Sequence, residues 1–80
     1  MIEAVQLGPA EFVLAAEQLH VGDEFEIDDA DVGQRYAWLV IGDPVELAHG
    51  VLLASVRVIA GPETGDEFEA HLRVGRKIND

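Results

Sequence analysis

The chain has 80 residues, 49% of them hydrophobic, no cysteine and a formal net charge of −11. That suffices for one small globular domain, residues 1–80, with a thin stability margin. It excludes disulfides and thiolate metal sites, and its sign opposes direct binding to nucleic acid or to anionic membrane surfaces.

The charge is unevenly spread. Residues 1–34 carry nine acids and no Lys or Arg, a formal −9; the remaining 46 residues carry seven acids and five cations, a formal −2. The cations are Arg35, Arg57, Arg73, Arg76 and Lys77. Asp23, Glu24, Glu26, Asp28, Asp29 and Asp31 crowd one short stretch. Such a distribution attracts a basic partner surface. The longest apolar run, Tyr36 to Ile41, is too short to span a bilayer. Met1 is followed by Glu3 rather than by a basic region and an apolar core, so no secretory signal is read and a cytoplasmic location is expected. Preference for Ala, Val, Gly, Asp and Arg over Lys, Ile and Asn fits a high-GC bacterial or phage coding bias.

In chain order, residues 2–7 suit an edge strand. Two readings of residues 9–19 stay open. Gly8-Pro9 suits a helix start, and Phe12, Ala15, Ala16 and Leu19 have the i, i+3, i+4, i+7 spacing of an amphipathic helix that Gly22 would follow. The alternative is a strand at 11–15 and a single helical turn ending at Leu19. The run Leu19-His20-Val21-Gly22-Asp23-Glu24-Phe25 resembles a turn with which small barrel modules begin a strand. It is similar to one found in self-splicing Hint domains, whose catalytic cysteine has no counterpart here. The resemblance covers only this run and implies no function.

Residues 24–28 read as a strand with Phe25 and Ile27 inward and Glu24, Glu26 and Asp28 outward. Asp28 to Gly33 follow as an acidic turn. Residues 35–41 form another strand, Tyr36 and Trp38 on one face and Ala37, Leu39 and Ile41 on the other, ended by Gly42-Asp43-Pro44. Val45 to Gly50 read as a connecting loop with room for one helical turn. Residues 50–60 make a valine-rich strand, with Leu52, Ala54, Val56, Val58 and Ala60 on one face. Val51, Leu53, Ser55, Arg57 and Ile59 lie on the other. After the turn Gly61 to Asp66, residues 67–74 alternate strictly, Phe68, Ala70, Leu72 and Val74 against Glu67, Glu69, His71 and Arg73. Matching the apolar faces pairs Val58 with Ala70 and Val56 with Leu72, and sets Arg57 opposite His71 and diagonal to Glu69. Residues 75–80 read as a frayed tail.

These elements predict a mainly β domain: a small twisted sheet or partly open barrel of about four to five strands, of SH3-like or OB-like size, with one short helical segment near the N-terminus.

Catalytic chemistry finds little support. Ser55 and Thr64 are the only hydroxyl nucleophiles of their types and sit in no strained elbow; no glycine-rich phosphate loop exists. A domain this small seldom encloses a cavity of roughly 300–1,000 Å³, so paired carboxylates lack a cleft to work in. Asp29, Asp31 and Gly33 echo a calcium loop, but Arg35 follows and no Glu closes it. His20, His49 and His71 lack metal-ligand spacing. We therefore expect no cofactor, no metal and no enzyme activity. Tyr36 and Trp38 lack the basic surroundings of a base-stacking platform and read as core.

The expected role is a non-catalytic interaction module whose acidic face, Glu24, Glu26, Asp28, Asp29 and Asp31, meets a basic partner protein. One alternative is a nucleic-acid mimic that occupies a DNA- or RNA-binding protein. Another is a small oligomeric or virion structural component. For that role the two-sided apolarity of strand 50–60 offers Val51, Leu53 and Ile59 as an interface between copies, unless the N-terminal segment or barrel closure covers that face.

Overall fold

A computed structural model of the chain describes residues 2–29 and 33–75. Seven strands follow in order: β1 (Ile2–Gly8), β2 (Glu11–Ala15), β3 (Glu24–Asp29), β4 (Gln34–Val40), β5 (Val45–Ala48), β6 (Val51–Ala60) and β7 (Glu67–Gly75). The order β4-β3-β1-β2-β7-β6 closes through a β4–β6 pairing into a six-stranded barrel, and β5 is an extra strand on β6. The β1–β3 and β2–β7 pairings are parallel; the others are antiparallel. Closure removes the exposed edges an open sheet of this size would leave.

The expected N-terminal helix is absent: no helix occurs among the described residues. Phe12 and Leu14 alternate inward on β2, which pairs with β1 on one side and β7 on the other. A helix there would leave both neighbours with open edges and break the barrel, so the ladder wins over the helical spacing. Leu19 is nevertheless buried, carried by an irregular segment rather than a helical turn. β1 is not an edge strand either, since β2 and β3 flank it.

Two further expectations change. The 45–50 connection is a strand, β5, followed by the His49-Gly50 turn that brings Ala48 opposite Val51. β4 and β5 occupy the same edge of β6 in succession, with Ile41 N–H donating to the Ser55 carbonyl between them. The β6–β7 hairpin has the expected facing but another register: Ala54 opposes Ala70, Val56 opposes Phe68 and Arg57 opposes Glu67. The turn decides this. Gly65 N–H donates to the Val58 carbonyl and Val58 N–H to the Asp66 carbonyl, closing the hairpin at Val58. Arg57 then meets Glu67 at 2.6 Å instead of lying opposite His71. Gly75, expected in a frayed tail, is the last residue of β7 and lies opposite Ala15; residues 76–80 lie outside the described ones.

Each wall strand sends alternate residues inward: Ala4, Phe12 and Leu14, Phe25 and Ile27, Trp38 and Val40, Ala54, Val56 and Val58, Ala70 and Leu72. Small residues on β1, β6 and β7 make room for the rings of Phe12, Phe25 and Trp38, the packing a narrow barrel requires. Trp38 is the hub, with Phe12, Phe25, Tyr36 and Phe68 ring centroids at 4.8, 5.7, 5.9 and 4.9 Å. The β1–β2 and β6–β7 turns, the end of β3 and the start of β4 all lie at one end of the barrel, which we call the mouth. Leu19 belongs to the other end. It precedes a turn anchored to the far end of β4 by Gly22 N–H donating to the Val40 carbonyl.

Candidate functional site

The acidic stretch at 23–31 is divided by the strand it builds. Glu24, Glu26 and Asp28 are exposed on the outer face of β3, as their alternation with buried Phe25 and Ile27 requires. The parallel register sets Glu3 beside Glu26, so β1 adds a fourth carboxylate to this face. Sequence reasoning missed Glu3, because nothing local signals a parallel partner so far along the chain. Arg35 pairs with Glu26 at 3.3 Å and is the only described cation on the neighbouring strand. Asp23 has a local job: its Oδ2 accepts the His20 backbone N–H at 2.7 Å and braces the turn before β3. Asp31 lies outside the described residues.

Asp29 follows the inward parity of Phe25 and Ile27 and lines the barrel mouth, where a cavity of about 520 Å³ opens. A domain this small is expected seldom to enclose a cavity of that size, and this one is a cleft open to solvent rather than an enclosed cavity. Apolar residues of its lining include Phe12, Tyr36, Trp38, Val58 and Phe68, and the polar ones are Gln6, Asp29, Gln34, Glu63, Glu69 and His71. Phe68 is exposed, although it sits on the inward face of β7. Tyr36 is held from two sides. Its hydroxyl donates to Gln6 Oε1, while Gln6 Nε2 donates to the Gly8 carbonyl at 3.0 Å. Gly61 passes so close that a Cβ there would stand 2.7 Å from Tyr36 Cβ. Burial pushes the Tyr36 phenol above its usual pKa of 10.0, and the Asp29 and Glu63 carboxylates push it the same way. Both carboxylates therefore direct negative potential at the phenol end of the mouth.

Glu63 is presented by an ordered turn. Thr64 Oγ1 donates to the Gly61 carbonyl at 2.6 Å, and Asp66 N–H donates to the Glu63 carbonyl at 3.1 Å. None of the described arginines lines the cavity. Arg35, Arg57 and Arg73 pair with Glu26, Glu67 and Glu11 on the barrel wall. Among the described residues, no group of three or more His, Asp or Glu is placed to hold a metal ion.

The N-terminal segment does not cover the second face of β6, because it lies in the barrel wall. Val51, Leu53 and Ile59 are half-buried, and the register sets Val45 and Ala48 of β5 beside Leu53 and Val51. Val45 and Leu47 are themselves exposed, and β5 pairs only with β6 among the described strands. No helix among the described residues is long and apolar enough to cross a membrane. Searches of protein-family models, of curated proteins and of solved structures find no match to this chain.

Proposed function

We propose that the chain is a non-catalytic interaction module that presents its acidic side to a basic surface of a partner protein. One observation carries this reading: Glu3, Glu24, Glu26 and Asp28 share the outer face of two adjacent strands, and among the described residues Arg35 is the one cation on the strand beside them. Carboxylates so placed repel one another and gain when a cationic surface covers them; at a rim they speed and steer association. The test is affinity capture from host lysate at low and high salt, comparing the wild type with a Glu3→Gln/Glu24→Gln/Asp28→Asn variant. Basic proteins held at low salt and lost by the variant support the reading. Capture indifferent to the three substitutions overturns it, and displacement of the captured protein by DNA moves the assignment to nucleic-acid mimicry.

A second reading rests on β5. Its edge, unpaired among the described strands, and the exposed Val45 and Leu47, continuous with Val51 and Leu53, suit pairing with another copy of the chain. Light scattering across a concentration series decides it: mass that rises with concentration and ignores salt supports self-association, and a constant monomer mass removes it.

A further inference from the structure

The barrel mouth combines three features that together select one kind of occupant. It is a cavity of about 520 Å³, within the range of ligand pockets. Its walls are aromatic, with Trp38 at the floor and the rings of Tyr36 and Phe68 around it. Its lining includes the acidic residues Asp29, Glu63 and Glu69 beside His71, with no described Arg among them. An anion would meet those carboxylates and the −11 charge of the whole chain. A wholly apolar ligand would take carboxylate charge further from water without bringing a cation to offset it, which is costly. A cation on an apolar stem satisfies both halves of the site. Its stem lies against the rings, and its head takes the carboxylates and the negative faces of the aromatic rings.

We propose that the mouth receives the arginine or lysine side chain of a basic partner segment, stem against Tyr36, Trp38 and Phe68, cationic head between Asp29 and Glu63. The inference deepens the reading of the chain as an acidic interaction module and rests on it for the source of the cation. The geometry joins the two surfaces. β3 turns Asp28 outward and Asp29 into the mouth, so a segment lying on the acidic face reaches the cavity at the end of that strand. The mouth is also partly preorganised. The Tyr36–Gln6 hydrogen bond and the Gly61 contact hold one wall, and the internal bonds of the 61–66 turn hold Glu63. Little ordering remains to oppose binding.

Trp38, the only tryptophan, lies in the wall of the mouth and reports on it directly. The experiment is a titration of Trp38 emission, with calorimetry in parallel, using an arginine–glycine repeat peptide and a lysine–glycine repeat peptide. The controls are the same lysine peptide acetylated on every side chain, and N-acetyl-arginine amide. Three variants are compared: Asp29→Asn/Glu63→Gln, Phe68→Leu, and Glu24→Gln/Glu26→Gln on the outer face. Thermal melts establish that each variant is folded.

We expect saturable shifts with the basic peptides and none with the acetylated one. The Asp29→Asn/Glu63→Gln variant should bind roughly tenfold more weakly, since charge-assisted hydrogen bonds are lost. Phe68→Leu keeps apolar bulk but loses the ring face and should also weaken binding. If the peptides bind but respond only to the outer-face variant while Trp38 emission stays constant, the mouth proposal falls and the interaction-module reading survives. If only the mouth variants matter, the mouth stands and the outer face is not the docking surface. If no basic peptide binds, both fall. Equal binding of the acetylated peptide removes the cation requirement. Equal binding of N-acetyl-arginine amide and the peptides assigns the mouth to small free cations instead of a polypeptide.

Discussion

Replacing Gly61 with alanine tests whether the β6–β7 turn fixes Tyr36 at the barrel mouth. Two glycines of that turn have positive φ, +114° at Gly61 and +102° at Gly65. Alanine at either position carries the conformational cost of a disfavoured backbone region, about 1–3 kcal/mol. Their surroundings differ. A Cβ on Gly65 meets nothing within 4 Å, whereas one on Gly61 stands 2.7 Å from Tyr36 Cβ and 3.5 Å from its Cα. Those Tyr36 atoms cannot swing aside by rotation about χ1, so the backbone must move, and overpacking of this kind adds about 1–3 kcal/mol. Gly61→Ala should therefore be the worse of the two by about 1–3 kcal/mol, or roughly 5–20 °C in Tm for a domain of this size. Urea unfolding followed by Trp38 fluorescence and by far-UV circular dichroism measures both variants. The clash involves Cβ, not the ring, so the extra cost should persist in a Tyr36→Ala background. Equal destabilisation by the two glycine substitutions, within about 0.5 kcal/mol, would show that the turn does not press on Tyr36.

Leu19→Ala should cost about 2–4 kcal/mol in urea melts with an unchanged m-value, because the side chain is 7% exposed and joins the core cluster. A loss below about 0.5 kcal/mol would mean that it closes nothing. Tyr36 couples stability to alkaline pH. Its phenol binds a proton more tightly folded than unfolded, so the native state holds more protons once pH passes the unfolded value near 10.0. Its contribution is intact below that pH and is lost as pH rises through the higher folded value. The wild type should lose Tm above pH 10 more steeply than Tyr36→Phe, and parallel curves would remove this account.

Half of the barrel is plain in the amino-acid pattern and half is not, for a definite reason. β3 and β7 each separate an apolar from a polar face, and β6 is betrayed by its valines. β2 hides because, after Glu11, its outward residues Val13 and Ala15 are apolar too. With Glu11 the one polar residue on that face, no period is set, and Phe12 and Leu19 fit a helical spacing too. β5 hides because proline and glycine flank a segment too short to display alternation. The parallel β1–β3 and β2–β7 ladders, without which the barrel has no continuous wall, leave no local mark at all, since parallel strands need no turn chemistry between them.

The hairpin register and the site were obscured by the same arithmetic. A period of two distinguishes faces, but every even shift preserves them. Ala70 can oppose Val58 or Ala54 without turning Arg57 inward, and only the hydrogen bonds of the 61–66 turn choose Ala54. The same parity contained the clue to the mouth. Phe25 and Ile27 are buried, so Asp29, two residues further, belongs on their side of β3 rather than with the outward acids Glu24, Glu26 and Asp28. What the pattern lacked was closure. Until β4, β2 and β7 are wrapped into one wall, Tyr36, Phe12 and Phe68 are aromatic residues on three separate strands. Once wrapped, they share one cavity with a carboxylate that a solvated loop was expected to hold. That change of address matters chemically. Asp29 is half-buried there, whereas Glu24, Glu26 and Asp28 on the outer face are exposed.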